Sequence, residues 1–219
     1  DDIPVSSADG ASVTGPFHTR RQQEERDESA YLAMSDFVAP LDSGRKDYVG
    51  GFAVTCGFGC EEVCAQLRAE NDDYKGIMME AIADRLAEAF AEVLHTQMRV
   101  DLWGYAPDEK LDVDDLLKVK YQGIRPAPGY PTQPDHTEKR FLWELLDVEA
   151  KTGISLTDSL AMLPAASVSA LVFANECSTY FQAGKLCKDQ LDDYASRKKM
   201  SLQEVEKWLG PYLAYDPDA

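Results

Sequence analysis

The sequence predicts an α+β fold: a mixed, largely antiparallel sheet and several helices, one of them long and central, in a single compact domain. Three observations lead to this prediction. From Asp72 to Arg99, apolar residues recur at three- and four-residue steps and no proline intervenes, which indicates one long helix. Short β-branched and aromatic segments do not alternate regularly with helical ones, which argues against a doubly wound parallel sheet. A chain of 219 residues can bury one substantial core.

The predicted long helix has an apolar stripe that we expect to face the core. The stripe consists of Tyr74, Ile77, Met78, Ala81, Ile82, Leu86, Ala89, Phe90, Val93 and Leu94. Asp72 at its start and Arg99 at its end complement the helix dipole. Asp84 and Glu88 share a face because they lie four residues apart. The ordinary interpretation is that both are solvated, and the alternative is that one of these carboxylates faces a pocket.

Two hairpins are predicted from strand-like segments that lie close together in the chain. Residues 31–39 are apolar and end at Pro40, and residues 48–56 are aromatic and β-branched, so we expect them to pair. Asp36, in the first of these segments, is predicted to cap a turn. Residues 167–173 and 178–183 form the second predicted hairpin, and short strand pieces flank a turn at residues 157–158. Further helices are predicted at 112–118, 137–149, 188–199 and 201–209, the last with Ser201 as its cap.

Residues 1–30 are predicted to be a polar lead-in, the truncated start of a domain whose main part spans residues 31–219. Residues 20–28 form a mixed-charge run, which is typical of a solvated surface. The chain opens with Asp1-Asp2-Ile3-Pro4 and has no basic, apolar leader. We therefore expect a fragment of a longer protein, without a secretory signal.

The composition argues against several classes of function. A formal net charge of −17 is unsuited to nucleic acid or to an anionic membrane surface, and no apolar run approaches the length of about 18 residues that a membrane span needs. The odd number of cysteines favours a reducing compartment, and hence the cytoplasm. They are Cys56, Cys60, Cys64, Cys177 and Cys187. The first three are spaced by four residues, but glycines interrupt the segment and no histidine is near, so no metal site is predicted.

One stretch of the sequence suggests a ligand site. Residues 125–131, Arg-Pro-Ala-Pro-Gly-Tyr-Pro, which we call the proline loop, cannot lie inside a helix or a central strand. A stiff loop loses little entropy when it binds a ligand, and Arg125 and Tyr130 offer a forked cation and an aromatic face. These groups suit a small molecule with a carboxylate and a heterocycle. The alternative is that the loop is a rigid connector between core elements.

The sequence predicts no catalytic residue. It has no glycine-rich phosphate loop, no dinucleotide-binding fingerprint, no zinc-protease motif and no serine nucleophile elbow. Its three histidines, His18, His95 and His136, lie far apart in the chain. His136 precedes a predicted helix without a second histidine or cysteine beside it, and we interpret it as structural.

Four segments carry a resemblance to a known family. They are residues 121–131, 134–139, 84–92 and 205–211. Together they resemble the C-terminal activation domain of cobalamin-dependent methionine synthase, and the resemblance spans residue 31 to the end. In that family the domain binds S-adenosylmethionine, and the multidomain enzyme transfers a methyl group from methyltetrahydrofolate through cobalamin to homocysteine. When the cobalt has been oxidised, an electron from a flavodoxin-type reductase and a methyl group from S-adenosylmethionine restore methylcobalamin.

The resemblance implies which residues bind S-adenosylmethionine. Arg125 is implied to contact the carboxylate of the methionine moiety, and Tyr130 to lie near the sulfonium. The other implied ligand residues are Ala127 and Gly129 in the proline loop, Tyr180 and Phe181 in a second loop, and Glu88 on the long helix. In the family the domain begins earlier and its first segments add an aspartate to the site, so the resemblance also implies weaker binding here than in the complete domain.

The resemblance also implies cofactors and partners. S-adenosylmethionine would bind to this chain, cobalamin mainly to another domain, and zinc only to the distant homocysteine domain. The partners would be the cobalamin-binding domain of the same enzyme and a flavodoxin or a diflavin methionine synthase reductase. The chain would be part of a methyltransferase without being catalytic alone. Two alternatives are a stand-alone methyltransferase and an acidic docking module for the reductase or the cobalamin domain, without ligand chemistry of its own.

Overall fold

The computed structural model describes residues 1–7, 13–23 and 30–217. The helices are α1 (Cys60–Ala69), α2 (Asp73–Gln97), α3 (Val113–Leu117), α4 (Glu138–Leu146), α5 (Val148–Thr152), α6 (Lys188–Lys198) and α7 (Leu202–Leu209). The strands are β1 (Asp2–Ser6), β2 (Val13–His18), β3 (Gly50–Thr55), β4 (Ser155–Leu156), β5 (Met162–Leu163) and β6 (Ser167–Val172). The predicted α+β class is confirmed, and so is the long helix, α2.

The strands of the described residues form three two-stranded sheets: β1 with β2, β3 with β6, and β4 with β5. The first and third pairs are antiparallel. The chain divides into two compact units. The first unit contains residues 1–50, 123–144 and 171–219, and the second contains residues 51–122 and 145–170. Among the described residues, no helix has both the length and the apolar character that crossing a bilayer requires.

In the first unit, β1 and β2 form a hairpin inside the segment that we predicted as a polar lead-in. Ile3 lies opposite Phe17, and the Phe17 ring is buried against Phe141 of α4, with 5.6 Å between ring centroids. The sequence analysis predicted no strand in this segment, where Pro4 and Pro16 face each other. A two-stranded sheet has only edge strands, where proline is tolerated.

The prediction of a solvated run at residues 20–28 is wrong for two of its four described residues. Arg20 and Gln22 are buried, and the Arg20 guanidinium lies over the ring of Tyr194, 5.0 Å from its centroid. Its Nη1 donates to the carbonyl of Gln190 at 2.8 Å. A buried arginine is acceptable here because an aromatic face and a carbonyl replace part of its hydration. Residues 24–28 of the run lie outside the described residues.

A buried ion cluster stabilises the first unit between the start of α4 and the end of α6. The Lys198 ammonium donates to Asp135 Oδ2 at 2.7 Å, to Thr137 Oγ1 at 2.5 Å and to Glu138 Oε1. Tyr194 also donates to Asp135, at 2.9 Å. The charged side chains of Lys198, Asp135 and Glu138 are 7%, 3% and 2% exposed. A buried cluster of this kind is compatible with a stable fold only while every charge keeps its partners.

The two predicted hairpins are wrong. Residues Met34–Phe37 form a 3-10 turn and not a strand, and β3 pairs with β6 from much later in the chain. Residues 178–183 are not a strand either. Asp36 does cap the turn, as predicted, because its carboxylate accepts the Ala33 N–H at 2.9 Å. Neighbouring segments did not pair because the β-rich pattern specifies a strand but not its partner.

The smaller predicted elements of both units are largely confirmed. In the first unit, Ser201 Oγ accepts the Glu204 N–H and caps α7. In the second, β4 and β5 flank the turn predicted at residues 157–158, and Asp112 caps α3. The helix predicted at residues 137–149 is split into α4 and α5 at Asp147, whose φ is +53°.

In the second unit, α2 buries a different face from the predicted one. The buried residues of the helix are Gly76, Ala83, Ala87, Ala91 and His95. Most of the large residues of the predicted core stripe are instead exposed: Tyr74, Ile77, Met78, Ile82, Leu86, Phe90 and Val93. The small alanine side chains allow α1 to approach closely, and Cys60 and Cys64 of α1 pack against Ala83 and Ala87.

Candidate ligand site at the proline loop

The proline loop begins with a short antiparallel bridge to the segment around the end of β6. Ile124 and Phe173 exchange both backbone hydrogen bonds, at 3.0 and 2.9 Å, and the Pro126 carbonyl accepts the Leu171 N–H at 3.1 Å. Arg125 lies between these two paired positions. Because side chains alternate in extended backbone, Ile124 is fully buried while the Arg125 side chain is on the opposite face and half-buried. The loop therefore presents a cation from a fixed backbone.

The second half of the loop is a tight turn that requires glycine. The Gly129 N–H donates to the Gln133 carbonyl at 2.7 Å, and the Tyr130 N–H donates to the Ala127 carbonyl at 3.2 Å. Gly129 has φ +98°, and a Cβ there would lie 2.8 Å from Nε2 of His136 and closer still to its Cε1 and Nδ1. The imidazole thus packs directly on the Gly129 Cα and leaves no room for another side chain.

A second segment, around Tyr180, is hydrogen-bonded to the proline loop. The Tyr180 hydroxyl accepts the backbone N–H of Arg125 at 2.9 Å. Thr132 Oγ1 donates to the Phe181 carbonyl at 2.7 Å, and the Ala183 N–H donates to the Pro131 carbonyl at 2.8 Å. The structure therefore brings together six of the seven residues predicted as ligand contacts. The two segments are distant in the chain, since Arg125 and Tyr180 are 55 positions apart.

These six residues differ in how much of the side chain a ligand can reach. Tyr130 and Tyr180 are 62% and 41% exposed. Phe181 is only 7% exposed, and its ring packs edge to face against Phe37, with centroids 6.2 Å apart. Two tyrosine rings are thus accessible on the surface, while Phe181 helps to anchor the segment that carries Tyr180.

Glu88, the seventh predicted ligand residue, belongs to the second unit. It lies on α2 and its side chain is exposed. Its role in ligand binding remains a prediction.

His136 is a residue of the site that the sequence analysis treated as structural only. The Lys139 ammonium donates to His136 Nδ1 at 3.2 Å, so the neutral imidazole carries its proton on Nε2. Burial and the Lys139 charge lower the pKa of His136, and Asp135 opposes them. No periodic or compositional signal predicts the packing of His136 on the loop, because this contact forms only when the chain reverses at Gly129 and places the ring beneath the loop.

The packing of His136 predicts how it titrates. A pKa lowered from 6.5 means that the folded state disfavours the imidazolium. The contribution of the neutral His136 to the stability of the fold is therefore complete above pH 6.5 and is lost as the pH falls through the folded-state pKa. NMR titration of the imidazole should give a pKa below 6.5, and Lys139→Met should raise it. Replacing the exposed Lys188 by Met should leave it unchanged. A wild-type pKa above 6.5 would contradict this packing.

A separate surface cavity of about 560 Å³ also lies in the first unit. Its lining includes Arg45, Lys46, Asp47 and Asn175, and it contains none of the predicted ligand residues. This cavity is an alternative location for ligand binding.

The chain matches the family model of the vitamin B12 dependent methionine synthase activation domain over residues 1–199. It belongs to that family. The resemblance that we drew from four segments is thereby confirmed, and the match includes residues 1–30, which the resemblance had left out. The first β-hairpin is therefore within the region that defines the activation domain.

A solved relative has the same fold. The crystal structure of a MetH reactivation domain bound to AdoHcy is 50% identical in sequence and superposes with a TM-score of 0.95. The match covers 98% of this chain and 66% of that one, so the chain spans about two thirds of its relative's length. Because almost all of this chain is matched, the proline loop and the Tyr180 segment both lie within the shared fold.

Proposed function

We propose that this activation domain binds S-adenosylmethionine at the proline loop and serves to reactivate a cobalamin-dependent methionine synthase. The observation that carries the proposal is the hydrogen bond from the Arg125 N–H to the Tyr180 hydroxyl, because it joins the two segments that sequence analysis assigned to the ligand. The AdoHcy bound in the solved relative supports the choice of ligand, since it is what remains when S-adenosylmethionine has given up its methyl group.

The chemistry of the loop suits this ligand. The Arg125 guanidinium can hold the amino-acid carboxylate through two parallel N–H donors. The rings of Tyr130 and Tyr180 offer π faces to the sulfonium cation. Three prolines and the backbone hydrogen bonds of the loop fix these groups before the ligand arrives, which reduces the entropy lost on binding.

Methyl transfer from a sulfonium requires alignment rather than proton transfer. Cobalamin, held mainly by another domain of the enzyme, supplies the nucleophile that accepts the methyl group. The task of Arg125, Tyr130 and Tyr180 is to bind the donor and to orient its methyl group outwards. The exposure of the two tyrosines, 62% and 41%, fits a donor that must be reached by a group on another domain.

The proposal extends to partners and location. The cobalamin-binding domain of the same enzyme would dock over the proline loop, and a flavodoxin or diflavin reductase would supply the electron. We place the protein in the cytoplasm, a location supported by five cysteines that are all free, as a reducing compartment would keep them.

Calorimetric titration of S-adenosylmethionine into the wild-type chain and into Arg125→Ala tests the proposal. Loss of the charge-assisted contact to the carboxylate should weaken binding at least about tenfold, equivalent to about 1.4 kcal/mol. Arg140→Ala is the matched control, because Arg140 is an exposed arginine of the same unit outside the loop, and its affinity should equal that of the wild type. Equal affinities for all three proteins would show that Arg125 does not hold the ligand. Ligand-independent binding of the reductase, with no heat from S-adenosylmethionine, would favour a docking module instead.

A further inference from the structure

Gln133 connects the turn of the proline loop to a distant part of the first unit. We call residues 129–133 the ligand turn. The Gln133 backbone closes this turn, because its N–H donates to the Tyr130 carbonyl at 2.8 Å and its carbonyl accepts the Gly129 N–H at 2.7 Å. The Gln133 side chain is fully buried, and its Nε2 donates to the carbonyl of His18, the last residue of β2, at 2.6 Å. One side chain therefore links the ligand turn to a strand 115 positions away in the chain.

The end of β2 that receives this bond is itself held by the buried ion cluster. The His18 backbone N–H donates to Glu138 Oε2 at 3.1 Å, and the other oxygen of that carboxylate accepts from the Lys198 ammonium. The side chains of Glu138 and Lys198 are 2% and 7% exposed. Bonds between such buried groups are costly to break, because a broken bond leaves a polar group without water or a partner. The His18 carbonyl is therefore a fixed anchor for Gln133.

Fold stability alone does not explain why an amide occupies position 133. The His18 carbonyl can only accept a hydrogen bond, so the amide nitrogen faces it and Oε1 lies on the other side. That oxygen is buried and has no hydrogen-bond donor among the described residues. A buried acceptor without a donor destabilises a fold, and an apolar side chain of the same size would avoid this cost. The bond to His18 is what an apolar side chain could not supply.

We propose that Gln133 is a positioning residue for the ligand. It fixes the ligand turn against the end of β2, and thereby holds Gly129 and Tyr130 where a ligand meets them. The other side of the turn is bonded to the Tyr180 segment, so the turn is held from two directions. Gln133 acts without touching the ligand, because it is fully buried. The inference rests on the proposed binding of S-adenosylmethionine at the proline loop.

The test compares three variants with the wild-type chain. Gln133→Met keeps an unbranched side chain of similar size but loses the donor to the His18 carbonyl. Gln203→Met makes the same change at an exposed position of α7. Ser201→Ala removes the cap of α7 and so lowers the stability of the fold without changing the ligand turn. Affinity for S-adenosylmethionine is measured by calorimetry, and hydrogen exchange of the backbone amides is measured by NMR without ligand.

Gln133→Met should weaken the binding of S-adenosylmethionine about tenfold, because the ligand turn is no longer held by His18. It should also speed exchange of the Gly129 amide by at least about tenfold, since this N–H is bonded to the carbonyl of position 133. The amide of Phe173, which is bonded to Ile124, should keep its rate. Both control variants should keep the wild-type affinity and the wild-type exchange rate of Gly129.

Two results would overturn the positioning role of Gln133. One is an unchanged exchange rate of Gly129 in Gln133→Met, and the other is faster exchange with unchanged affinity. Weaker binding in Ser201→Ala to the same extent would also contradict it, because affinity would then follow the stability of the whole fold. A wild-type chain that gives no heat with S-adenosylmethionine, while Gly129 exchange responds as expected, would refute the proposed function and not the hold of Gln133 on the turn.

Discussion

Gly129→Ala is expected to abolish measurable binding of S-adenosylmethionine. The new Cβ would lie 2.8 Å or less from three atoms of the His136 ring. The imidazole is rigid, so the whole ring or the loop backbone would have to move to relieve this clash. A φ of +98° is also strained for any residue with a side chain, at a cost of about 1–3 kcal/mol. The loop would therefore leave the conformation that places Arg125 and Tyr130. Calorimetric titration should show at least a hundredfold weaker binding, about 2.7 kcal/mol.

Two further variants separate the steric clash from the backbone strain. Gly44 also has a positive φ, +67°, but a Cβ there would have nothing within 4 Å, so Gly44→Ala should cost only the strain and leave affinity unchanged. Adding His136→Ala to Gly129→Ala removes the clash and should restore part of the affinity. Unchanged binding in Gly129→Ala, with the protein folded, would mean that the turn does not position the ligand.

Lys198→Met is expected to destabilise the protein by about 3–5 kcal/mol at neutral pH. The substitution keeps an unbranched side chain of similar length but leaves Asp135 and Glu138, which are 3% and 2% exposed, without their common cation. Breaking a buried ion cluster at one partner costs this much because the remaining charges stay desolvated. The free energy of unfolding in urea measures the loss. Lys199→Met, at the adjacent exposed lysine, should change it by less than about 0.5 kcal/mol.

The destabilisation should depend on pH in a defined direction. Burial raises the pKa of Asp135, but the charge of Lys198 and hydrogen bonds from Lys198 and Thr137 outweigh it, so the pKa lies below its ordinary 3.8. In the wild type this stabilisation is complete above pH 3.8 and is lost as the pH falls through the folded-state pKa. Without Lys198 the burial effect is opposed by the hydrogen bonds from Thr137 and Tyr194, so the difference in stability between the two proteins should shrink as the pH falls below about 4. A difference that grows on acidification would contradict the role of the cluster.

The local elements of the fold could be predicted, and the pairing between them could not. The α2 pattern, the β3 segment and the caps at Asp36 and Ser201 all depend on residues close in sequence, and all were confirmed. The partner of β3 is set by packing between distant segments. The prediction of the buried face of α2 was wrong, because hydrophobic periodicity gives most weight to large side chains, whereas the close approach of α1 requires alanines.

The candidate site shows the same division. The stiffness of the proline loop and the chemistry of Arg125 and Tyr130 follow from the residues themselves, and the family resemblance added Tyr180. The packing of His136 on Gly129 depends on how the chain returns after the turn, so the sequence held no signal for it. Whether Glu88 contacts the ligand stays a prediction.

The most direct test of the proline loop as the ligand site is NMR of the isotope-labelled wild-type chain during addition of S-adenosylmethionine. We expect saturable shifts of the Ala127, Gly129 and Tyr130 amides, together with those of Tyr180 and Phe181. Binding would then be located at the loop without any substitution. Shifts concentrated instead around the surface cavity at Arg45 and Lys46, or no shifts in a chain that remains folded, would contradict this account.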